Sequence, residues 1–188
     1  FAARAGSDVQ AAKYDARDLV TAVDGECQEI IEARIAAEFP TDSVLGEESV
    51  APGIDAAMAA AADLASSEWL WIIDPIDGTT NFVSGMPLSA VSVAIVHRGV
   101  PCGGVIYDPY RDELFVGISS EASYCNGVRM RAERSVTTLE KAMVLTDVGY
   151  ERSAVGARRI AQCHEALLNA NTYGIRTVSY THLTLPTK

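Results

Sequence analysis

Trp71-Ile72-Ile73-Asp74-Pro75-Ile76-Asp77-Gly78-Thr79-Thr80-Asn81-Phe82 is the stretch on which the reading of this chain turns. Leu70 to Ile73 is a continuous apolar run, as expected of a buried strand. The strand delivers two carboxylates, Asp74 and Asp77, and ends in Gly78-Thr79-Thr80, a turn suited to opening a helix. Pro75 between the acids has no N–H for a sheet ladder, so the segment must bend. Both carboxylates can then converge on one side, with the Ile76 carbonyl pointing the same way. Two acids held so near each other repel unless a cation lies between them. Oxygen ligands beside the N–H groups that open a helix are what a divalent cation and a phosphate need in one place.

Working outward, Ser43 to Gly46 reads as a short strand that delivers Glu47 and Glu48 at its end. Taken alone, adjacent acids are usually solvated surface. Upstream, Phe1 to Lys13 reads as the end of a helix, and Asp18 to Asp24 as extended or loop-like. Asp24 is a natural N-cap for a helix running to about Phe39, with Cys27, Ile31, Ile35 and Phe39 on its buried face and Pro40 ending it. As a cap Asp24 would stabilise its helix by about 1 kcal/mol. As a catalytic group it would orient water. Ser49 to Glu68 is a polar, alanine-rich connection with a turn at Pro52-Gly53 and a short helix within Ala56 to Ala65.

Beyond Phe82, Val91, Val93 and Ile95 alternate with small residues, and Gly103 to Tyr107 and Glu113 to Ile118 continue as strands joined at Asp108-Pro109. This predicts an antiparallel meander, with another tight turn at Asn126-Gly127. A strand at Ala142 to Thr146, a helix over Ser153 to Ala170 and a strand from Tyr173 to Val178 complete a layered α+β arrangement. His97-Arg98 and Arg129 to Arg134 read as solvated surface.

At 188 residues the chain suits one domain, or one and part of another. With 48% hydrophobic and 21% charged residues it has the composition of a soluble globular protein. A net charge of -10 argues against non-specific nucleic-acid binding, though not against an anionic substrate that meets bound cations. Cys27, Cys102, Cys125 and Cys163 form no CxxC pair and read as thiols of a reducing cytoplasm. The three histidines are scattered, which leaves zinc without support. No run approaches the roughly 18 apolar residues of a membrane span.

Asp74-Pro75-Ile76-Asp77-Gly78-Thr79-Thr80-Asn81-Phe82 resembles the metal-binding signature of the inositol monophosphatase family. Gly46-Glu47-Glu48-Ser49 resembles that family's Gly-Glu-Glu motif. Asp18-Leu19-Val20-Thr21 with Asp24, preceded by Lys13, resembles a third motif in the right order. Gly103 to Pro109 and Cys125-Asn126-Gly127 resemble its core strands. The resemblance covers Lys13 to Val178. It implies a layered αβαβα sandwich, spanning residues 1–178 here, that dimerises and hydrolyses phosphomonoesters with magnesium, inositol 1-phosphate foremost.

Carried over by motif, Glu47, Asp74 and the Ile76 carbonyl would bind a first Mg2+. Asp74 would bridge to a second that Asp77 also holds, and Glu47 would reach a third. Asp24 and Thr79, with Glu47, would act on the nucleophilic water. Gly78 and Thr79 would meet the phosphate, with Glu47, Ile76 and Asp77 bordering the substrate, and Glu48 and Lys13 would support the site. Fructose-1,6-bisphosphatase-like enzymes and histidinol phosphatases share the metal core and stay open as readings. So does a non-catalytic binding protein on the same fold.

The resemblance stops after Val178. The family's later substrate-binding Glu and its Trp-Asp motif, whose Asp completes the second metal site, have no counterpart here. Ser179 to Lys188 resembles a translated sequencing-adapter tail, the alternative being an edge strand ended by Pro186. The chain is therefore expected to be truncated at both ends and, as written, to have little or no phosphatase activity.

Overall fold

A mixed seven-stranded sheet carries the Glu47-Glu48 and Asp74 to Phe82 motifs, and the segment from Leu19 to Asp24 lies on a separate hairpin and the helix after it. In the computed structural model, residues 9–12, 19–51, 54–64, 66–131, 135–146 and 153–177 are described. The chain divides into two units, Phe1–Met130 and Arg131–Lys188.

The first unit opens with β1 (Val9–Ala12) paired antiparallel to β2 (Leu19–Thr21). The helix expected over Phe1 to Lys13 is thus corrected at Val9–Ala12. The alanine-rich composition favours helix locally, but pairing with β2 overrides that preference. Lys13 and Asp18 lie outside the described residues. Helix α1 (Ala22–Glu38) follows and ends at Phe39, as the sequence predicts. Its cap is Thr21 rather than Asp24. The Thr21 side chain accepts from the Val23 amide, and Asp24 sits at the third helical position, returning its carboxylate to the Thr21 amide in a capping box.

The buried face of α1 also differs from the expected apolar row. Val23, Asp24, Gln28 and Ile35 are buried, whereas Phe39 stays half exposed against the Trp71 ring at 5.3 Å. The helix turns two polar groups inward because both find partners there: Gln28 on the turn that follows β3, and Asp24 on Thr21 at the start of its own helix and on Thr79 beyond β4.

Strand β3 (Ser43–Gly46) passes into a 3-10 turn at Glu47–Ser49, and α2 (Ile54–Asp63) leads to β4 (Trp69–Asp77). Helix α3 (Thr79–Val83) is a little over one turn long. β5 (Ala90–His97), β6 (Val100–Asp108) and β7 (Glu113–Ile118) form the predicted meander. β8 (Tyr124–Cys125) and β9 (Val128–Arg129) close on Asn126-Gly127, both with positive φ (47° and 76°), as a two-residue hairpin of this type needs. The strand order is β3-β4-β5-β6-β7-β8-β9, antiparallel throughout except for the parallel pair β3 and β4.

The turn from β6 to β7 is fixed by Asp108, which accepts from the Tyr110 amide (2.9 Å) and the Arg111 amide (3.2 Å) and pairs with the Arg111 guanidinium. Beside it Tyr107 donates its hydroxyl to Asp112 Oδ1 at 2.9 Å. That bond, then partial burial, then the negative charges of Asp112 and Asp108 hold the Tyr107 phenol above its ordinary pKa. The neutral phenol is favoured by the fold, so its contribution is full below the unfolded-state value and fades as pH rises through the raised one. Asp112→Asn keeps a residue tolerant of the positive φ (53°) found there. In an ultraviolet tyrosine titration this variant is expected to bring the Tyr107 midpoint down, and an unmoved midpoint would contradict the assignment.

In the second unit, β10 (Met143–Thr146) and β11 (Gly174–Thr177) pair in parallel, with α4 (Ala154–Asn169) between them in sequence. Ser153 caps α4 by accepting from the Gly156 amide at 3.0 Å. His164 ties the helix to the strand through Thr146 Oγ1 at 3.3 Å. Val178 and the segment Ser179 to Lys188 lie outside the described residues. None of the four cysteines is in a disulfide. No helix among the described residues is long and apolar enough to cross a membrane.

Candidate functional site

Residues three apart on a regular strand point to opposite faces of the sheet. Asp74 and Asp77 do not follow that rule, because the ladder slips between them. Asp74 pairs with Ser92 and Asp77 with Ala90, so three steps along β4 match two along β5. The extra residue is a bulge located at Pro75 and Ile76, and by register it returns Asp77 to the face of Asp74. This is the bend expected from Pro75. Ile76 is buried, Asp77 is 8% exposed, and one carboxylate oxygen of half-buried Asp74 is closed off from solvent.

Glu47 reaches the same end of the sheet by another route. Gly46 pairs with Ile73 in the parallel ladder, so Glu47, the first residue past β3, follows beside Asp74 within β4. Glu47 is exposed and Glu48 half-buried in the 3-10 turn. Among the described residues, no three His, Cys, Asp or Glu side chains are grouped closely enough to hold an ion by themselves. What the fold supplies is backbone adjacency of Glu47 with Asp74 and a shared face for Asp74 and Asp77.

Asp24 is 1% exposed. Its Oδ2 accepts from the Thr21 amide (2.9 Å) and the Thr21 hydroxyl (2.6 Å). Its Oδ1 lies 3.3 Å from Thr79 Oγ1, which also stands 3.0 Å from the Ile76 carbonyl. A threonine hydroxyl has one proton, so Thr79 addresses one of these acceptors at a time. Its oxygen keeps lone pairs for a further donor such as water. The bond joins α1 to the start of α3 across 55 residues of sequence. Beneath it, Val23, Ile76 and Phe82 form a core cluster against which Cys27 packs. Each member is on the same short segment as a site residue, so apolar packing fixes where the polar groups stand.

Gly78 caps α3 with φ 90°, a conformation that side-chain-bearing residues rarely adopt, and Asn81 and Phe82 donate their amides back to its carbonyl. With only five residues in α3, any anion here would meet the backbone amides of one turn rather than a sizeable helix dipole. The sequence reading missed two residues that join this group: Thr21, visible in retrospect as the start of a Thr-x-x-Asp capping box, and Gln28. Gln28 is 5% exposed and lies four positions after Asp24, on the same face of α1.

Asp74, Asp77, Glu47 and the Ile76 carbonyl offer oxygen alone, the donor set of a hard cation such as Mg2+ rather than of zinc. In kind these donors fit such an ion.

A family model described as the inositol monophosphatase family matches residues 2–186. The chain is 37% identical over 165 residues to inositol monophosphatase 1 of Xenopus laevis, covering 86% of this chain and 54% of the frog protein. Among solved structures, the IMPase of Thermotoga maritima superposes with a TM-score of 0.75 at 28% identity, covering 96% of this chain and 63% of that one. An IMPase/NADP phosphatase solved in complex with Mg2+ and phosphate gives 0.69 at 27% identity, covering 90% of this chain and 57% of that one. The chain spans about half the length of the curated relatives it matches. The α+β fold, the ordered motifs and the matched extent agree: the chain belongs to the inositol monophosphatase family.

Proposed function

We propose that this chain carries the metal and water-orienting half of a Mg2+-dependent phosphomonoester hydrolase whose substrate is a small phosphorylated polyol, inositol 1-phosphate in the first instance. The reading rests on family membership and, above all, on one observation: the parallel register and the bulge bring Glu47, Asp74 and Asp77 to one end of the sheet, next to the Asp24–Thr79 bond. In this reading Glu47, Asp74, Asp77 and the Ile76 carbonyl hold the cations. Mg2+ bound there would neutralise phosphoryl oxygens and acidify water.

The chain's own residues do the rest. Asp24, shut away from solvent, keeps an acceptor oriented toward Thr79. Thr79 donates its single proton to Asp24 or to the Ile76 carbonyl and so presents a lone pair to the attacking water, holding it in line with the ester. Gly78 and Thr79 turn backbone amides toward the phosphate. Glu48 and Lys13 support the site. Phosphomonoester hydrolysis is among the slowest uncatalysed reactions, and positioning with charge neutralisation is the contribution such a site can make. Attack is in line, with inversion and without a covalent phosphoenzyme.

The full-length protein is taken as a homodimer, as the family resemblance implies, and as cytoplasmic, as its four thiols without a CxxC pair suggest. The reading involves no membrane partner, and the charge of -10 disfavours nucleic acid. One second reading is a cation-binding protein without turnover, which the oxygen donors Glu47, Asp74 and Asp77 equally allow. Mg2+ titration with the thermal unfolding midpoint as readout tests both. A midpoint rise of several degrees is expected, lost in Asp74→Asn. A wild-type midpoint indifferent to Mg2+ would remove the metal reading. A rise that inorganic phosphate does not increase further would favour the second.

A further inference from the structure

The proposed function leaves unexplained why α1 buries a glutamine. Gln28 Oε1 accepts from the Glu48 amide at 2.9 Å, and its Nε2 donates to Ser49 Oγ at 2.8 Å and to Glu32 Oε1 at 2.9 Å. The side chain thereby takes up both donor and acceptor capacity in the 3-10 turn that carries Glu47 out of β3. It also lies flat on the backbone of Gly46: a Cβ at that position would come within 2.3–2.5 Å of the Gln28 amide atoms. Gly46 is the residue paired with Ile73, immediately before the Glu47 and Asp74 neighbours. The amides that open a helical turn have no carbonyl of their own turn to bond, so an outside acceptor decides how such a turn is seated. Here that acceptor is fixed on a helix whose preceding turn carries Asp24.

We propose that Gln28 is a positioning residue for Glu47. By seating the Glu48 amide and the Ser49 hydroxyl it fixes the direction in which Glu47 leaves the sheet beside Asp74. With Asp24 one turn earlier, α1 sets both halves of the site as a single rigid piece. The inference rests on the cation-binding reading above.

The test uses MgCl2 alone as probe and reads the Mg2+ concentration giving half of the maximal rise in unfolding midpoint, for wild type, Gln28→Met and Glu47→Gln. Loss of a group that orients a ligand typically weakens metal binding by about 10–100-fold. Gln28→Met is therefore expected to need about tenfold more Mg2+. A Gln28→Met protein that unfolds at lower temperature with an unchanged Mg2+ requirement would show a purely structural glutamine and overturn the proposal. Glu47→Gln separates the two readings. If it matches wild type, the cation reading itself falls and the proposal with it. If it is impaired while Gln28→Met is normal, only the proposal falls. Should Gln28→Met fail to fold, Ser49→Ala removes one anchor and leaves α1 intact. A shift of about threefold in the same direction is then expected, below the range for losing the whole group, and no shift overturns the proposal.

Discussion

Asp24→Ala is expected to lower unfolding free energy by about 3–5 kcal/mol, more than helix-cap removal alone, which costs about 1 kcal/mol. One carboxylate, 1% exposed, serves the Thr21 amide at 2.9 Å and the Thr21 hydroxyl at 2.6 Å. Hydrogen bonds to a charged acceptor contribute about 1.5–3 kcal/mol each, and here both donors belong to a buried residue that alanine would leave without its acceptor. The third contact, Thr79 at 3.3 Å, adds little to stability because the Ile76 carbonyl remains at 3.0 Å as its alternative. Urea denaturation with an unchanged m-value would report the loss cleanly. A cost below about 1 kcal/mol would mean the carboxylate is dispensable to the fold. Where release of phosphate from inositol 1-phosphate can be followed, the same change is expected to slow it by about 10²–10⁴-fold, the range for a positioned acid or base. Lost stability with undiminished turnover would assign Asp24 to capping alone.

Phe82→Ala comes next. Phe82 is fully buried and packs with Val23 and Ile76, so truncation leaves a cavity where α1, β4 and α3 meet. Such changes cost about 3–5 kcal/mol. Phe82→Leu, which keeps most of the volume, is expected to cost under about 1.5 kcal/mol. The effect is also expected to reach the site. Val23 precedes Asp24 and Ile76 precedes Asp77, so a loosened cluster should raise the Mg2+ requirement along with the loss of stability. Equal stability losses in the two Phe82 variants would show that packing volume there is not what holds the elements together.

Most strands could be read directly from the residues. Ser43–Gly46 and Glu113–Ile118 have the boundaries expected, because short apolar runs between turn residues mark them. The hairpin at Asn126-Gly127 follows from turn chemistry alone. Three features could not be read this way. β1 exists because β2 pairs with it, which no local pattern in Val9–Ala12 announces. Strand β4 runs through Asp77, although the apolar run reads as a strand only from Leu70 to Ile73, because the bulge absorbs Pro75 and keeps the ladder going. Gln28 looks like one more polar residue on a helix, and its place against Gly46 and Glu48 appears only once the chain has folded back. In each case the missing information is a partner distant in sequence.

The bulge in β4 also ties the length of this segment to its shape. Removing Pro75 or Ile76 would make the ladder regular, two steps matching two, so the carboxylates would still share a face while the bend and one main-chain carbonyl between them were lost. Every acid would remain in the sequence, yet the backbone around them would no longer be the same. The spacing of this motif is therefore as much a part of its chemistry as the identity of its letters.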